Sequence, residues 1–240
     1  MRANHYLIAI LVGIIGFAGG FLLANKLNRS EFERLRAESD SSKKTASSAS
    51  EFDLSDEEID AKLKEAADTP NDVQFQKQLG VSLYRFGTMK RNAPIIEKAL
   101  VPLKRASQLD PNDKETISIL GNAYFDIGYF TKENGSLEKA REYYEVLLKA
   151  RPDDAETRTD LALTYFLVDP PDLDNAAHGF EEALSKDPKN EKALQFYVQT
   201  LAKQNKPEKA KAALTKLKDA NPKNPAIAEL ASLLERPTVQ

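Results

Sequence analysis

The chain has 240 residues, 41% apolar and 30% charged, with a net charge of −3 and neither cysteine nor tryptophan. That charge makes no electrostatic case for binding nucleic acid, and the absence of Cys excludes disulfides, thiolate metal sites and a lipid-modified cysteine. Two histidines, His5 and His178, are too few for a metal cluster or a catalytic triad, and His178 reads as a surface or packing residue.

Taken in chain order, residues 1–25 come first as a predicted transmembrane anchor. Ala3 to Asn25 carries no formal charge, and Tyr6 to Ala24 is a 19-residue run in which eleven residues are Leu, Ile, Val or Phe. As a helix the run spans roughly 28 Å, close to a hydrocarbon core. Its insertion is favourable by about −3 to −7 kcal/mol. A cleaved signal peptide is the competing reading, since Ala18-Gly19-Gly20 offers small residues for cutting. Against it, Phe21-Leu22-Leu23-Ala24 continues the apolar run, and Arg2 alone supplies the positive start. Ala9, Gly13, Gly16, Gly20 and Ala24 share one helical face, a pattern that permits close packing with a partner membrane helix or a homodimer through Gly13, Gly16 and Gly20. The bland reading of the same stripe is that glycine is common in membrane helices.

Sidedness draws on two opposed signals. Lys26, Arg29, Arg34 and Arg36 follow the span and would hold the C-terminal side in the cytoplasm, but Glu31, Glu33 and Glu38 are interleaved with them. Short N-terminal tails of bacterial signal anchors stay inside. The balance leans to a periplasmic domain on a bacterial inner membrane.

Residues 26–50 form a linker. Positions 39–50 hold six serines and no large apolar residue, so the stretch buries too little to offset its entropy and acts as a tether with a reach of roughly 20 Å. Residues 51–69 contain a predicted capping helix over 56–67. Ser55 and Glu58 have the spacing of a capping box, Leu54 and Ile59 that of a hydrophobic staple, and Ile59, Leu63 and Ala66 make one apolar face.

From residue 70 the chain repeats. Proline stands at Pro70, Pro111, Pro152, Pro188 and Pro222, at intervals of 41, 41, 36 and 34 residues. Nine and ten residues after the first four prolines come Leu79-Gly80, Leu120-Gly121, Leu161-Ala162 and Tyr197-Val198. Twelve residues before the last four stand Ala99, Ala140, Ala176 and Ala210. Large residues flank these small ones: Leu83, Tyr124, Tyr165 and Leu201 on one side, Leu103, Tyr144, Phe180 and Leu214 on the other. A small residue where two helices cross lets the backbones approach, and the large ones fill the space around it. Each unit is therefore a helix hairpin ended by its proline. The four units are 70–110, 111–151, 152–187 and 188–222. Residues 223–240 supply a last helix, with Ile227, Leu230, Leu233 and Leu234 at helical spacing, and a tail.

The run Leu120-Gly121-Asn122-Ala123-Tyr124-Phe125-Asp126-Ile127-Gly128, with Ala140, Tyr144 and Pro152 behind it, resembles a tetratricopeptide repeat (TPR). The second unit matches closely and the others in part; the family's early Trp is replaced near Val73, Thr116, Arg158 and Leu194. The resemblance implies an all-α solenoid of about four hairpins plus capping helices. The first two units are each long by seven residues, between Gly87 and Ala99 and between Gly128 and Ala140. That extra length either extends both helices or forms a loop; Asn92-Ala93-Pro94 and Asn134-Gly135-Ser136 favour a loop followed by a restarted helix. Asp169-Pro170-Pro171-Asp172 reads as a short stiff connection and lacks the glycine and distal glutamate of a calcium loop.

No phosphate loop, nucleophile elbow, cofactor motif or metal constellation is present, so the chain reads as a non-enzyme with no cofactor. The TPR resemblance places function in a concave groove lined by the first helix of each hairpin. On this reading Lys77, Tyr84, Arg85, Asn122, Phe125 and Phe166 are the candidate peptide contacts, with Val81, Ser118, Ile119, Asp126, Asp160, Leu163, Leu167, Gln195, Phe196, Gln199 and Lys203 beside them. Tyr84, Phe125 and Phe166 each fall fourteen residues after a proline. The Lys and Asn clamp of chaperone-binding TPR domains is matched only by Lys77 and Asn122, its third-unit basic pair being replaced at Thr159 and Leu163.

Two functions fit. One is a membrane-tethered module that binds peptide segments of a protein partner, similar in layout to single-span TPR proteins of bacterial c-type cytochrome biogenesis. The other is a structural adaptor in a membrane complex, such as a translocon or assembly machine, with no free-peptide ligand.

Overall fold

The structure, a computed structural model, describes residues 54–235. The apolar run 6–24, its glycine stripe and the linker lie outside the described residues. Among the described residues no helix is long and apolar enough to cross a membrane. Ten α-helices follow one another among the described residues: α1 (Asp56–Asp68), α2 (Val73–Lys90), α3 (Ala93–Leu109), α4 (Lys114–Thr131), α5 (Asn134–Ala150), α6 (Ala155–Leu167), α7 (Leu173–Lys186), α8 (Glu191–Lys203), α9 (Pro207–Ala220) and α10 (Ala226–Glu235). The chain divides after Asn112 into two compact units.

A punctuation mark recurs that the proline spacing alone does not reveal. Two residues after every repeat proline stands an Asp or Asn whose side chain accepts a backbone N–H of the helix it opens. Asp72 accepts from Phe75 (3.0 Å), Asp113 from Glu115 (3.2 Å), Asp154 from Thr157 (3.0 Å), Asn190 from Ala193 (2.9 Å) and Asn224 from Ala226 (2.9 Å). Each cap satisfies a donor left unpaired in the first turn, for about 1 kcal/mol.

The first unit contains α1, α2 and α3. Its capping box forms as the sequence reads: the Ser55 N–H donates to Glu58 Oε2 (2.9 Å), and the Glu58 N–H donates to Ser55 Oγ (3.2 Å). Ile59 and Ala66 are buried beneath α1, whereas Leu63 is only half-buried and Lys62 takes a buried position, its ammonium held by Glu65 at 2.7 Å. Gln76, 3% exposed, donates to the carbonyls of Ala66 (2.7 Å) and Thr69 (3.2 Å), which closes the free end of α1. Lys98 of α3 reaches Asp60 of α1 at 2.7 Å.

The second unit contains α4 to α10, three hairpins and a closing helix. Ala140, Ala176 and Ala210 are fully buried, as is Ala99 in the first unit. The second hairpin also closes on a glycine: a Cβ at Gly121 would stand 2.9 Å from Tyr144 Cε1, closer than side chains approach. In the third hairpin the roles swap, with Ala162 on α6 and Gly179 on α7. Glu191 receives both Asn221 (2.9 Å) and Asn224 (2.6 Å), while Gln195 donates to Asn224 (2.9 Å); this polar set fastens the approach to α10 onto α8.

The expected loops in the two long hairpins do not form. Both helices lengthen instead, to 18 and 17 residues in each long hairpin against 13 and 14 in the short ones. Only Arg91-Asn92 and Lys132-Glu133 connect them. Arg91 adopts a left-handed φ of 52°, and the Asn92 N–H returns to the Gly87 carbonyl at 2.8 Å, a closure that ends a helix within one residue. Asn92 then caps Ile95 at 3.1 Å, so the cap lies where the sequence places it and only the loop is absent.

Candidate functional site

Three aromatic side chains on the first helices of successive hairpins converge in the second unit. Phe125 of α4, Phe166 of α6 and Phe196 of α8 are half-buried and pack round one core cluster of Ala162, Leu163, Ala176, Phe180, Ala183 and Ala193. The Phe166 and Phe196 rings meet edge to face, with centroids 5.6 Å apart and planes at 69°. Phe196 lies nearly parallel to the fully buried Phe180, 6.4 Å away. The rings are thus backed by core and keep part of their surface toward solvent, a rigid apolar strip that costs little side-chain entropy to use.

Polar groups bound this strip. Asn122 sits one turn before Phe125 and accepts a hydrogen bond at Oδ1 from the Tyr144 hydroxyl at 3.0 Å. That bond fixes the amide so that its N–H groups are the donors offered to a partner. Lys203, exposed at the end of α8, holds its ammonium 5.8 Å from the Phe166 ring centre. Gln199, one turn earlier on α8, is half-buried. Asp160 is paired with Lys192, their side chains only 10% and 18% exposed, so this pair closes on itself.

The remaining candidates divide by depth. Tyr84 is 4% exposed, Val81 8%, Ile119 9% and Leu163 2%, so these four contribute core rather than contact surface. Lys77 and Arg85 are half-buried on α2 in the first unit. Thr159 is buried and bonds the Ala155 carbonyl at 2.7 Å, so neither it nor Leu163 supplies what a clamp needs. His178 is exposed, with Nε2 3.6 Å from Glu182. Phe196, one of the positions that the TPR resemblance sets beside the main contacts, completes the strip in the fourth hairpin although its offset from Pro188 differs from that of the other rings. Tyr197, its neighbour, donates to Glu181, and burial followed by this bond pushes its phenol well above the usual range.

Comparison with known proteins agrees with this geometry. A tetratricopeptide-repeat family model matches residues 171–234. The chain carries tetratricopeptide repeats over residues 171–234. A second family model, that of the plant-specific mitochondrial import receptor subunit TOM20, matches residues 52–169. Among solved structures, a crystal structure of MamA aligns with a TM-score of 0.56 at 22% identity, over 69% of this chain and 88% of that one. MamA 41-end from Desulfovibrio magneticus RS-1 gives 0.53 at 20%, over 70% and 86%. A thermophilic TPR protein in Thermus thermophilus gives 0.53 at 19%, over 74% and 91%. At these identities the likeness is one of fold. No curated protein gives a significant match. The matched families are scaffolds for protein–protein interaction, and no enzyme family is among them.

Proposed function

We propose that this TPR domain is a membrane-tethered receptor for extended peptide segments, which it takes onto the strip formed by Phe125, Phe166 and Phe196. The observation that carries the reading is the convergence of three half-exposed rings, one per hairpin, on one core cluster. Aromatic anchors on a rigid backing are the groups that dominate binding energetics, and Asn122 and Lys203 add a donor and a charge at the margins. Residues 6–24 tether the domain to a membrane, on this reading a bacterial inner membrane with the repeats in the periplasm.

The likeness to an import receptor subunit supports a precursor polypeptide as ligand. The layout shared with cytochrome c biogenesis proteins supports an unfolded apocytochrome tail. Both are extended chains with spaced apolar side chains, and the strip treats them alike. A photoreactive phenylalanine analogue at position 166 of the full-length protein, activated in native membranes, tests the reading. Crosslinks to short unfolded segments support it. Crosslinks only to stable membrane subunits favour the adaptor alternative. Protease protection of the same membranes reports the side on which the repeats lie.

A further inference from the structure

We infer that the α8–α9 hairpin is an electrostatic foot that settles on an anionic bilayer surface. Between Lys186 and Lys223 the sequence holds ten lysines against four carboxylates, a local +6 in a chain whose net charge is −3. Three of the four carboxylates already have partners within the chain. Asp187 accepts the Lys189 N–H (3.1 Å), Glu191 holds Asn221 and Asn224, and Glu208 pairs with Lys211 (3.0 Å). Among the lysines, Lys192 is paired with Asp160 and Lys186 with Asp153 (2.6 Å). Lys189, Lys206, Lys209, Lys216, Lys218 and Lys223 are exposed, and none forms an ion pair among the described residues.

Their placement follows from the core. Ala210, Ala213, Leu214 and Leu217 turn inward on α9. Helical spacing then puts Lys209 and Lys216 on one flank and Lys211 and Lys218 on the other. Between the flanks the outward strip carries the short side chains of Ala212 and Thr215, with Glu208 and Asp219 at its ends. Lysine stems on both sides of a low strip allow the helix to lie flat while the ammonium groups reach down.

The stretch has no arginine. Planar forks that read one carboxylate or phosphate in two-point geometry are therefore missing, and flexible point charges suit a diffuse anionic layer better than a shaped acidic partner. The rest of the chain is net negative and is repelled by the same layer, so the hairpin alone would face it. The inference rests on the tethering reading, which keeps the bilayer within reach.

The test exploits the absence of cysteine. Full-length protein carrying one fluorophore, at Thr215→Cys on α9 or at Val101→Cys, 67% exposed on α3, is placed in nanodiscs holding a headgroup quencher. Adding phosphatidylglycerol to phosphatidylcholine should raise quenching about threefold at 215 and leave 101 unchanged; about 0.5 M salt should reverse the rise. The variant K206Q/K209Q/K216Q/K218Q, checked for helicity, should abolish it. Equal quenching in both lipids, or indifference to the four substitutions, overturns the inference. Loss of protein from the discs instead refutes the tether, and co-sedimentation with phosphatidylglycerol vesicles then decides the lipid question. Binding to polyglutamate but not to those vesicles would assign the face to an acidic protein and also overturn the inference.

Discussion

The long hairpins and the short ones solve the same crossing differently. In α2/α3 and α4/α5 the close approach occurs twice, at Gly80 against Leu103 and Gly87 against Ile96, then at Gly121 against Tyr144 and Gly128 against Leu137. The second contact of each pair lies seven residues, two helical turns, beyond the first. The α6/α7 hairpin makes one such approach, Ala162 against Gly179, and α8/α9 meets through buried Val198, Ala210 and Ala213. Extra length thus demands a second small residue, because two helices held together at one crossing diverge unless the next contact is equally close.

The largest effect follows directly. A Cβ at Gly128 would stand 2.7 Å from Leu137 Cγ and 3.0 Å from its backbone nitrogen, so Gly128→Val should destabilise the protein by about 3 kcal/mol in denaturant unfolding. If Gly128→Val is neutral, the paired-contact account of the long hairpins fails. Next comes the tie between the long second hairpin and the short third one: Asn134 donates to the Asp169 carbonyl at 2.8 Å and accepts its N–H at 3.0 Å. Asn134→Ala should cost about 1 kcal/mol, measured the same way. Gly135 sharpens the contrast, since nothing lies within 4 Å of its would-be Cβ and it sits in α5; Gly135→Ala should stabilise by about 0.5 kcal/mol.

The smallest effect is a pH slope in the short fourth hairpin. Burial, then Glu181, raises the Tyr197 phenol above its ordinary value of 10.0. The unfolded chain therefore releases this proton first, and the contribution present below pH 10 is lost as pH rises beyond it. Tyr197→Phe should flatten that alkaline decline in thermal melts, and an identical decline in the variant would remove Tyr197 as its source.

Much of the fold is legible in the sequence because small-residue and proline offsets report helix crossings. Ala99, Ala140, Ala176 and Ala210 are all fully buried, and Leu103 and Phe180 fill the space beside them. The loops expected near Asn92 and Asn134 do not form because cap chemistry marks where a helix starts, not how many residues precede it; a left-handed Arg91 or Lys132 makes the turn in two residues. The Asp or Asn two places after each proline is visible in the sequence and states the helix starts outright. For the candidate site, the fourteen-residue offset points to α2, α4 and α6, but an offset fixes a direction and not a depth. Tyr84 at that offset is core, Phe125 and Phe166 keep open surface, and Phe196 joins them from a different register.

The central claim is that the rings of α4, α6 and α8 act as one binding strip. The direct measurement is the affinity of the full-length protein for the peptide segment captured at position 166, compared with Asn122→Ala/Phe125→Ala and with Phe166→Ala, each verified as folded by circular dichroism. Each variant is predicted to bind more weakly by about 1 to 3 kcal/mol, roughly fivefold to 160-fold, with helicity intact. Unchanged affinity in folded variants would contradict the strip.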